Sequence, residues 1–320
     1  MGDEPTLKMN MKSFKIQKPL IKWVGGKTQM IDKVMAVFPS NMNNYYEPFL
    51  GGGSVLLALL SYQRQSKINI EGEIYAYDLN PSLIFLYQHI QSHPKELFAL
   101  IMEYLNEYDK CPTLGKGESN RKPSTKEEAL QSTESYYYWC RIQLNTLSKD
   151  NNIRYSALFV FLNKTCFRGI YREGPNGFNV PFGHYKKTPQ ITTEENLLTF
   201  SALIKNVHFV CASFEASLLS PIHGDFVYLD PPYAPETSKS FVGYTAAGFN
   251  LDNHKKLFEM THALDKKGVR FAMSNAKVGL VTKAFQDKNF IITDISARRA
   301  CNSKNPGAKT TEIIVRNVKG

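Results

Sequence analysis

The chain has 320 residues, 42% of them hydrophobic, enough for one large domain or two modest ones with a proper core, so a globular protein is expected rather than a disordered one. Thirty-nine Lys and Arg against 29 Asp and Glu leave a net charge of +10, an excess that suits a polyanionic partner without naming it. Cys111, Cys140, Cys166, Cys211 and Cys301 are odd in number and lack a C-x-x-C spacing, which argues against a disulfide framework or a zinc knuckle and for a reducing compartment. The polar start, Met1 to Lys18, lacks the apolar core of a signal peptide, and the longest apolar run, Val55 to Leu60, is too short to span a bilayer. The expectation is therefore an intracellular protein, cytoplasmic or nucleoid-associated, with no membrane partner.

After a loose tail over residues 1–15, Pro19 to Val24 is expected to be extended, and Gly25-Gly26 breaks it. Thr28 to Phe38 has helical spacing, with Met30, Ile31, Val34, Met35 and Phe38 on one side, and stops at Pro39. Tyr45 to Leu50 predicts a strand, Gly51-Gly52-Gly53 a tight turn, Ser54 to Arg64 a helix and Glu73 to Asp78 a second strand. This is the alternation of an α/β domain with a largely parallel sheet. The pattern then turns helical at Ser82 to His93, Pro94 to Tyr108 and Glu127 to Leu147. Between the last two, Cys111 to Lys126 has the Gly, Pro, Ser, Thr and Lys content of a mobile surface loop. Arg154 to Asn163 predicts a further helix, and Lys164 to Pro189 is aperiodic, Gly-rich and basic. Strands are expected again at Val207 to Ala212, Phe226 to Leu229, Val269 to Met273, Phe290 to Ile295 and Glu312 to Val318, with helices at Asp252 to Leu264 and Val278 to Asp287.

Four constellations carry chemistry. Asp230-Pro231-Pro232-Tyr233 follows the apolar run Phe226 to Leu229, and because neither proline donates a backbone hydrogen bond or extends a central strand, the chain must leave the sheet there. That exposes a carboxylate, free carbonyls and an aromatic face, a rim that suits the amino group of a base taken out of its helix; the alternative is a plain proline turn. Gly51, Gly52 and Gly53 lie between a strand and a helix, where a tight backbone can approach a ligand near a helix N-terminus. The dinucleotide fingerprint fails, because Leu56 stands where its third glycine belongs. Asp78, at the next strand end, can accept hydrogen bonds from ribose hydroxyls or serve as a turn residue. Gly25-Gly26-Lys27-Thr28 looks like the end of a P-loop, but Ile21 occupies the place of the required first glycine; Lys27 could still hold a carboxylate or phosphate, and Trp23 could pack against a ligand. Asn163 to Tyr185 interleaves basic and aromatic residues on a Gly-rich segment, where arginine can pair with guanine, aromatics can wedge or stack, and amides can reach phosphates.

In order along the chain stand Lys22-Trp23-x-Gly25-Gly26-Lys27, Glu47-Pro48-Phe49-Leu50-Gly51-Gly52-Gly53-Ser54, Tyr77-Asp78-x-Asn80, Phe167 to Tyr185, Asp230-Pro231-Pro232-Tyr233, and Arg298-Arg299 before Glu312-Ile313-Ile314. Together they resemble the Dam-type (D12 class) DNA adenine-N6 methyltransferases, from about Pro19 to Val318. The resemblance implies an α/β fold: a Rossmann-like methyltransferase sheet with an inserted, mainly helical target-recognition domain. The catalytic domain would cover 16–80 and 190–320, and the recognition domain 81–189. It implies S-adenosylmethionine as methyl donor, leaving S-adenosylhomocysteine, with Trp23, Lys27, Phe49, Gly51, Gly53, Ser54, Asp78, Ser213, Phe214 and Asp230 around it. Asp230, Pro231, Pro232 and Tyr233 would hold the target adenine. Phe167 would enter the duplex, Lys22 would read the guanine before the adenine, and Arg172 with Ile170 and Pro181 would read further bases. Arg168, Asn179 and His184 complete the implied DNA contacts; Arg168 departs from the asparagine common in Dam members and His184 from a frequent arginine. The implied partner is double-stranded DNA with a GATC-like site, bound by a monomer or weak dimer without a metal. Cytosine-N4 methylation, which usually has serine in place of Asp230, RNA adenine methylation, and a DNA-binding relative without turnover are the alternatives.

Overall fold

The computed structural model describes residues 16–115, 117–147, 152–235, 249–298 and 309–318. The expected tail over 1–15 and Arg299 lie outside the described residues. The first stretch runs α1 (Ile31–Met35), β1 (Asn41–Met42), β2 (Tyr45–Glu47), α2 (Ser54–Arg64), β3 (Asn69–Ile70) and β4 (Ile74–Asp78). Helices α3 (Pro81–Ser92), α4 (Pro94–Lys110), α5 (Lys126–Ala129), α6 (Thr133–Thr146) and α7 (Ile153–Thr165) follow, then a 3-10 turn at Phe167–Gly169 and the hairpin β5 (Glu173–Gly174) and β6 (Gly177–Phe178). The chain returns through α8 (Glu194–Leu203), β7 (Val207–Cys211), α9 (Phe214–Ser217), β8 (Phe226–Leu229), α10 (Leu251–Lys266), β9 (Arg270–Ala276), α11 (Gly279–Ala284), β10 (Phe290–Arg298) and β11 (Lys309–Asn317).

Among the described residues seven strands form one sheet in the order β10-β11-β9-β8-β2-β4-β7. Every pair from β9 to β7 is parallel, and β11 alone runs against its neighbours β9 and β10. A parallel sheet needs cover on both faces, which is why β8 is a continuous apolar run with all its residues buried. Successive side chains of a strand point to opposite faces. Accordingly Phe226 and Tyr228 enter the apolar cluster that contains Phe38, Tyr45 and the helices from α2 to α8, while Val227 and Leu229 enter a second cluster with Phe258, Phe271 and Phe285.

Strand order creates the site. From β2 the chain steps outward to β4 and β7, then crosses back to place β8 on the other side of β2. Crevices for ligands open at the carboxyl ends of strands where the order reverses in this way. Glu47 ends β2 and Leu229 ends β8, so Pro48-Phe49 and Asp230 leave the sheet beside each other.

Besides the short β1, β3, β5, β6 and α9, which were not expected, the helices depart at three places. The single helix over Glu127 to Leu147 is two, because Ser132 caps α6 by accepting from Ser135 N at 3.0 Å and Thr133 N turns to the Pro112 carbonyl at 3.0 Å. The helix expected from Thr28 shortens to α1, preceded by a turn in which Met30 N donates to the Lys27 carbonyl at 2.9 Å. Helix α8 was passed over, although Thr193 caps it at Asn196 N, 3.2 Å, and Leu197, Phe200 and Leu203 supply its buried face. Helix α3 lies along the sheet: Tyr87 stacks on Phe209 of β7 with ring centroids 5.0 Å apart, and Gln91 donates to the Val207 carbonyl at 2.9 Å.

Gly53 joins the β2 turn to α2 with φ at +69°, and a Cβ there would sit 2.4 Å from the Tyr87 hydroxyl. Gly53→Ala therefore combines a strained backbone with a clash in a packed core, and a loss of about 1–3 kcal/mol is expected. Urea denaturation of the variant should show a lower midpoint with an unchanged slope.

Candidate active site

At the end of β8 the Asp230 carboxylate accepts a 2.6 Å hydrogen bond from Lys27 Nζ, which also donates to the Gly25 carbonyl at 2.7 Å. Lys27 is 3% exposed, and its backbone N–H donates to Ser54 Oγ at 3.0 Å. The turn at residues 25–27 is thereby fastened both to the N-terminus of α2 and to Asp230. Burial raises the Asp230 pKa above the ordinary carboxyl value, and the Lys27 charge and hydrogen bond oppose that rise. Lys27 Nζ lies 5.0 Å from the centroid of the Tyr233 ring. The crevice thus presents a carboxylate held by one oxygen, with an aromatic ring beside it.

Residues outside the tetrapeptide hold this motif in place. Ala234 N donates to Asn275 Oδ1 at 3.0 Å, Tyr233 donates its hydroxyl proton to Glu312 Oε2 at 2.8 Å, and the Tyr228 and Ser274 hydroxyls lie 2.7 Å apart. Ser274 and Asn275 come from β9, and Glu312 from β11, where it pairs with Ala276. The reversed strand therefore brings a carboxylate under Tyr233. Glu312 opens the closing segment Glu312-Ile313-Ile314 of the resemblance, whereas Ser274 and Asn275 are marked only by their polarity after the apolar Phe271 to Met273.

On the β2 side the Asp78 carboxylate accepts from Gly51 N and from Asn80 N, each at 2.8 Å. Burial raises its pKa, and these backbone donors, Asn80 before Gly51, work against the rise. Phe49 stacks on Phe214 at 5.7 Å, and Phe249, also missed by the sequence reading, meets both rings at 5.8 and 5.5 Å. Ser213 caps the short helix that carries Phe214, accepting from Ala216 N at 3.4 Å. Trp23 packs over Gly51 and Gly52, whose added Cβ atoms would approach it to 3.0 and 2.9 Å. Its other face stacks on Tyr171 at 5.0 Å, so Trp23 joins the glycine turn to the basic segment. Behind this turn Glu47 is buried and accepts from the Tyr45 hydroxyl at 2.7 Å.

The basic segment folds as a 3-10 turn and hairpin. Phe167 is 45% exposed, its N–H donates to the Pro181 carbonyl at 2.9 Å, and the Arg168 guanidinium sits 5.1 Å from its ring. Arg172 Nε donates to Asn179 Oδ1 at 2.7 Å, which aligns the guanidinium along the hairpin. Ile170 is half-buried against the core, Pro181 is exposed, and exposed His184 meets Phe182 edge-on at 5.0 Å. Lys22 lies beside this turn, its ammonium 5.9 Å from the Tyr185 ring. Burial lowers the pKa of neighbouring Lys164, and the Lys22 charge lowers it further.

Among the described residues no cluster of His, Cys, Asp and Glu could hold a metal ion, and no helix is long and apolar enough to cross a membrane. Cys111, Cys140, Cys166 and Cys211 are free thiols.

A mostly parallel sheet with one reversed strand, carrying this crevice at its switch point, has the methyltransferase fold. Residues 23–301 match the model of the D12 class N6 adenine-specific DNA methyltransferases. The chain is 33% identical to the type II methyltransferase M.MjaIII of Methanocaldococcus jannaschii, over 94% of this chain and 99% of that protein. It is also 30% identical to the type II methyltransferase M1.LlaDCHI of Lactococcus lactis, over 94% and 95% of the two chains, and 28% identical to the DNA adenine methylase of Haemophilus influenzae, over 96% of each. The chain belongs to the D12 class of N6 adenine-specific DNA methyltransferases, enzymes whose substrate is DNA.

Glu47 offers a test of the buried charge balance. Burial pushes its carboxyl from the ordinary 4.5 up to about 8; the Tyr45 hydrogen bond and Lys27 oppose this, and Asp230 and Asp78 add to it. A folded pKa above the unfolded one means that the native state binds the extra proton, so this group's contribution to stability is full below 4.5 and is lost as pH rises toward 8. Glu47→Gln keeps the neutral shape. Thermal unfolding between pH 5 and pH 9 should show the variant gaining on the parent as pH rises; parallel curves would refute a neutral buried Glu47.

Proposed function

We propose that the enzyme transfers the methyl group of S-adenosylmethionine to N6 of an adenine flipped out of duplex DNA, within a GATC-like site. The observation that carries this reading is the Lys27–Asp230 pair beside the Tyr233 ring at the switch point. It is a carboxylate with one oxygen committed and one free, next to a stacking surface, which fits an exocyclic amino group on a flat base.

The donor fits the residues around the glycine turn. Asp78 uses one lone pair on each oxygen for Gly51 and Asn80, which leaves acceptor capacity for ribose hydroxyls. Phe49 and Phe214 supply an apolar aromatic wall, and Gly51, Gly53 and Ser54 form the tight turn. Lys27 uses two of the three protons of an ammonium on Asp230 and Gly25, so one remains for the donor's carboxylate. When bound, the donor supplies a methyl group already activated on a sulfonium. Asp230 and the Pro231 carbonyl accept the two amino protons and keep the nitrogen lone pair directed at the reacting carbon, while Tyr233, steadied by Glu312, stacks on the base. Alignment is the main task of these groups, and Asp230, whose Oδ1 is not committed to Lys27, takes the proton that nitrogen releases.

Residues 16–80 and 190–320 act as the catalytic domain and 81–189 as the target-recognition domain of a monomer or weak dimer. Phe167 enters the stack left by the flipped adenine, Lys22 reads the guanine before it, and Arg172 with Ile170 and Pro181 reads the remaining bases. Arg168, Asn179 and His184 meet the backbone. The crowding of Lys22 and Lys164 supports a polyanion on this face.

Asp230→Ala should lower methyl transfer by about 10²–10⁴-fold while duplex binding persists, measured with radiolabelled donor and by gel shift; normal turnover would sink the catalytic assignment. Methylating a random duplex library and mapping the modified adenines should return G-A-T-C, and a different motif would overturn the site assignment alone.

A further inference from the structure

We propose that Asn163 is a positioning residue for base recognition, holding Lys22 and the Phe167–Gly169 turn in one register so that its loss relaxes discrimination at the base before the adenine. The inference rests on the reading of Lys22 as the residue that contacts that base.

Asn163 sits in the last turn of α7 and is 1% exposed. Its Oδ1 accepts from Lys22 N at 2.8 Å, and its Nδ2 donates to the Lys22 carbonyl at 2.9 Å and to the Gly169 carbonyl at 3.3 Å. Only one orientation of the amide satisfies these three bonds, because the oxygen must face the N–H and the nitrogen the two carbonyls. A helical side chain thus pairs with Lys22 as a neighbouring strand would. Residue 22 is not in any described strand, so this pairing supplies the register that a sheet would otherwise impose.

The same amide reaches the recognition turn. Gly169 has φ at +68°, and a Cβ there would lie 2.5 Å from Lys22 Cδ and 3.0 Å from Lys22 Cβ. The turn therefore folds down onto the lysine stem, and only glycine lets it come that close. Beyond the stem, the Lys22 ammonium lies over the ring of Tyr185, whose hydroxyl donates to the Cys166 carbonyl at 2.8 Å. Lys22 is accordingly directed by Asn163 at its backbone, Gly169 along its stem and Tyr185 at its head. A lysine on a flexible four-carbon stem discriminates poorly between acceptors unless its path is fixed, and the buried amide is the fixed point of that path. Residue 22 also begins the run that ends at Lys27, so the reader and the Asp230 partner share one short segment.

The test compares kcat/KM for duplexes that differ only in the base before the adenine, for the parent, Asn163→Ala and Asn163→Asp. Because both substrates meet the same enzyme sample, the ratio does not depend on what fraction of a destabilised variant is folded. Asn163→Ala removes all three bonds, and the ratio should fall about tenfold. Asn163→Asp keeps the acceptor for Lys22 N and loses both donors, so its ratio should fall between the two. Discrimination at the bases assigned to Arg172 should be unchanged, as should donor affinity by calorimetry. Lys22→Ala is the control for the underlying reading: if it leaves the ratio intact, the reading of Lys22 has failed. If Lys22→Ala lowers the ratio but both Asn163 variants keep it, or lose discrimination evenly at every position, the role given to Asn163 is overturned.

Discussion

The hydrogen-bonded ion pair between Lys27 and Asp230 joins residues 203 positions apart, and the site depends on it. A buried ammonium or carboxylate is strongly disfavoured alone, and removing one member strands the other. The pair therefore ties the turn after Gly25 to the end of β8, and with the Lys27 N–H on Ser54 it ties both to the start of α2. Three segments near the switch point are drawn into one crevice. The same ammonium opposes the rise that burial imposes on Asp230, so one contact shapes the site and favours the charged form of its carboxyl.

Around that contact the molecule divides its polar work between two sides. The β2 side holds Asp78 on the backbone of the glycine turn, and the β9–β11 side holds the proline motif through Asn275 and Glu312. Trp23 links the first side to the basic segment by stacking on Tyr171. In the proposed reading this division gives the methyl donor and the base one rigid wall each.

Much of this was legible along the chain, and unevenly so. Gly51 to Gly53 and the two prolines of the motif are legible because each forces a local backbone outcome whatever surrounds it. Helix α8 is readable in principle from Thr193 and the spacing of Leu197, Phe200 and Leu203, although it is not among the expected elements. The break between α5 and α6 was less legible, because it depends on the Pro112 carbonyl reaching Thr133 N, a contact from another part of the chain. Trp23 was assigned to the donor, and it does lie on the glycine turn, but its stack on Tyr171 was not foreseeable from spacing.

The amino-acid sequence by itself determined the α/β class, the strand ends at which the chain must turn, and the residue types that could meet a base, because these follow from propensity, periodicity and the chemistry of single side chains. Tertiary structure decided which of them act together. Asn163, Asn275 and Glu312 are ordinary polar residues until folding removes water from around them; then each must find a partner, and the partners they find are Lys22, Ala234 and Tyr233.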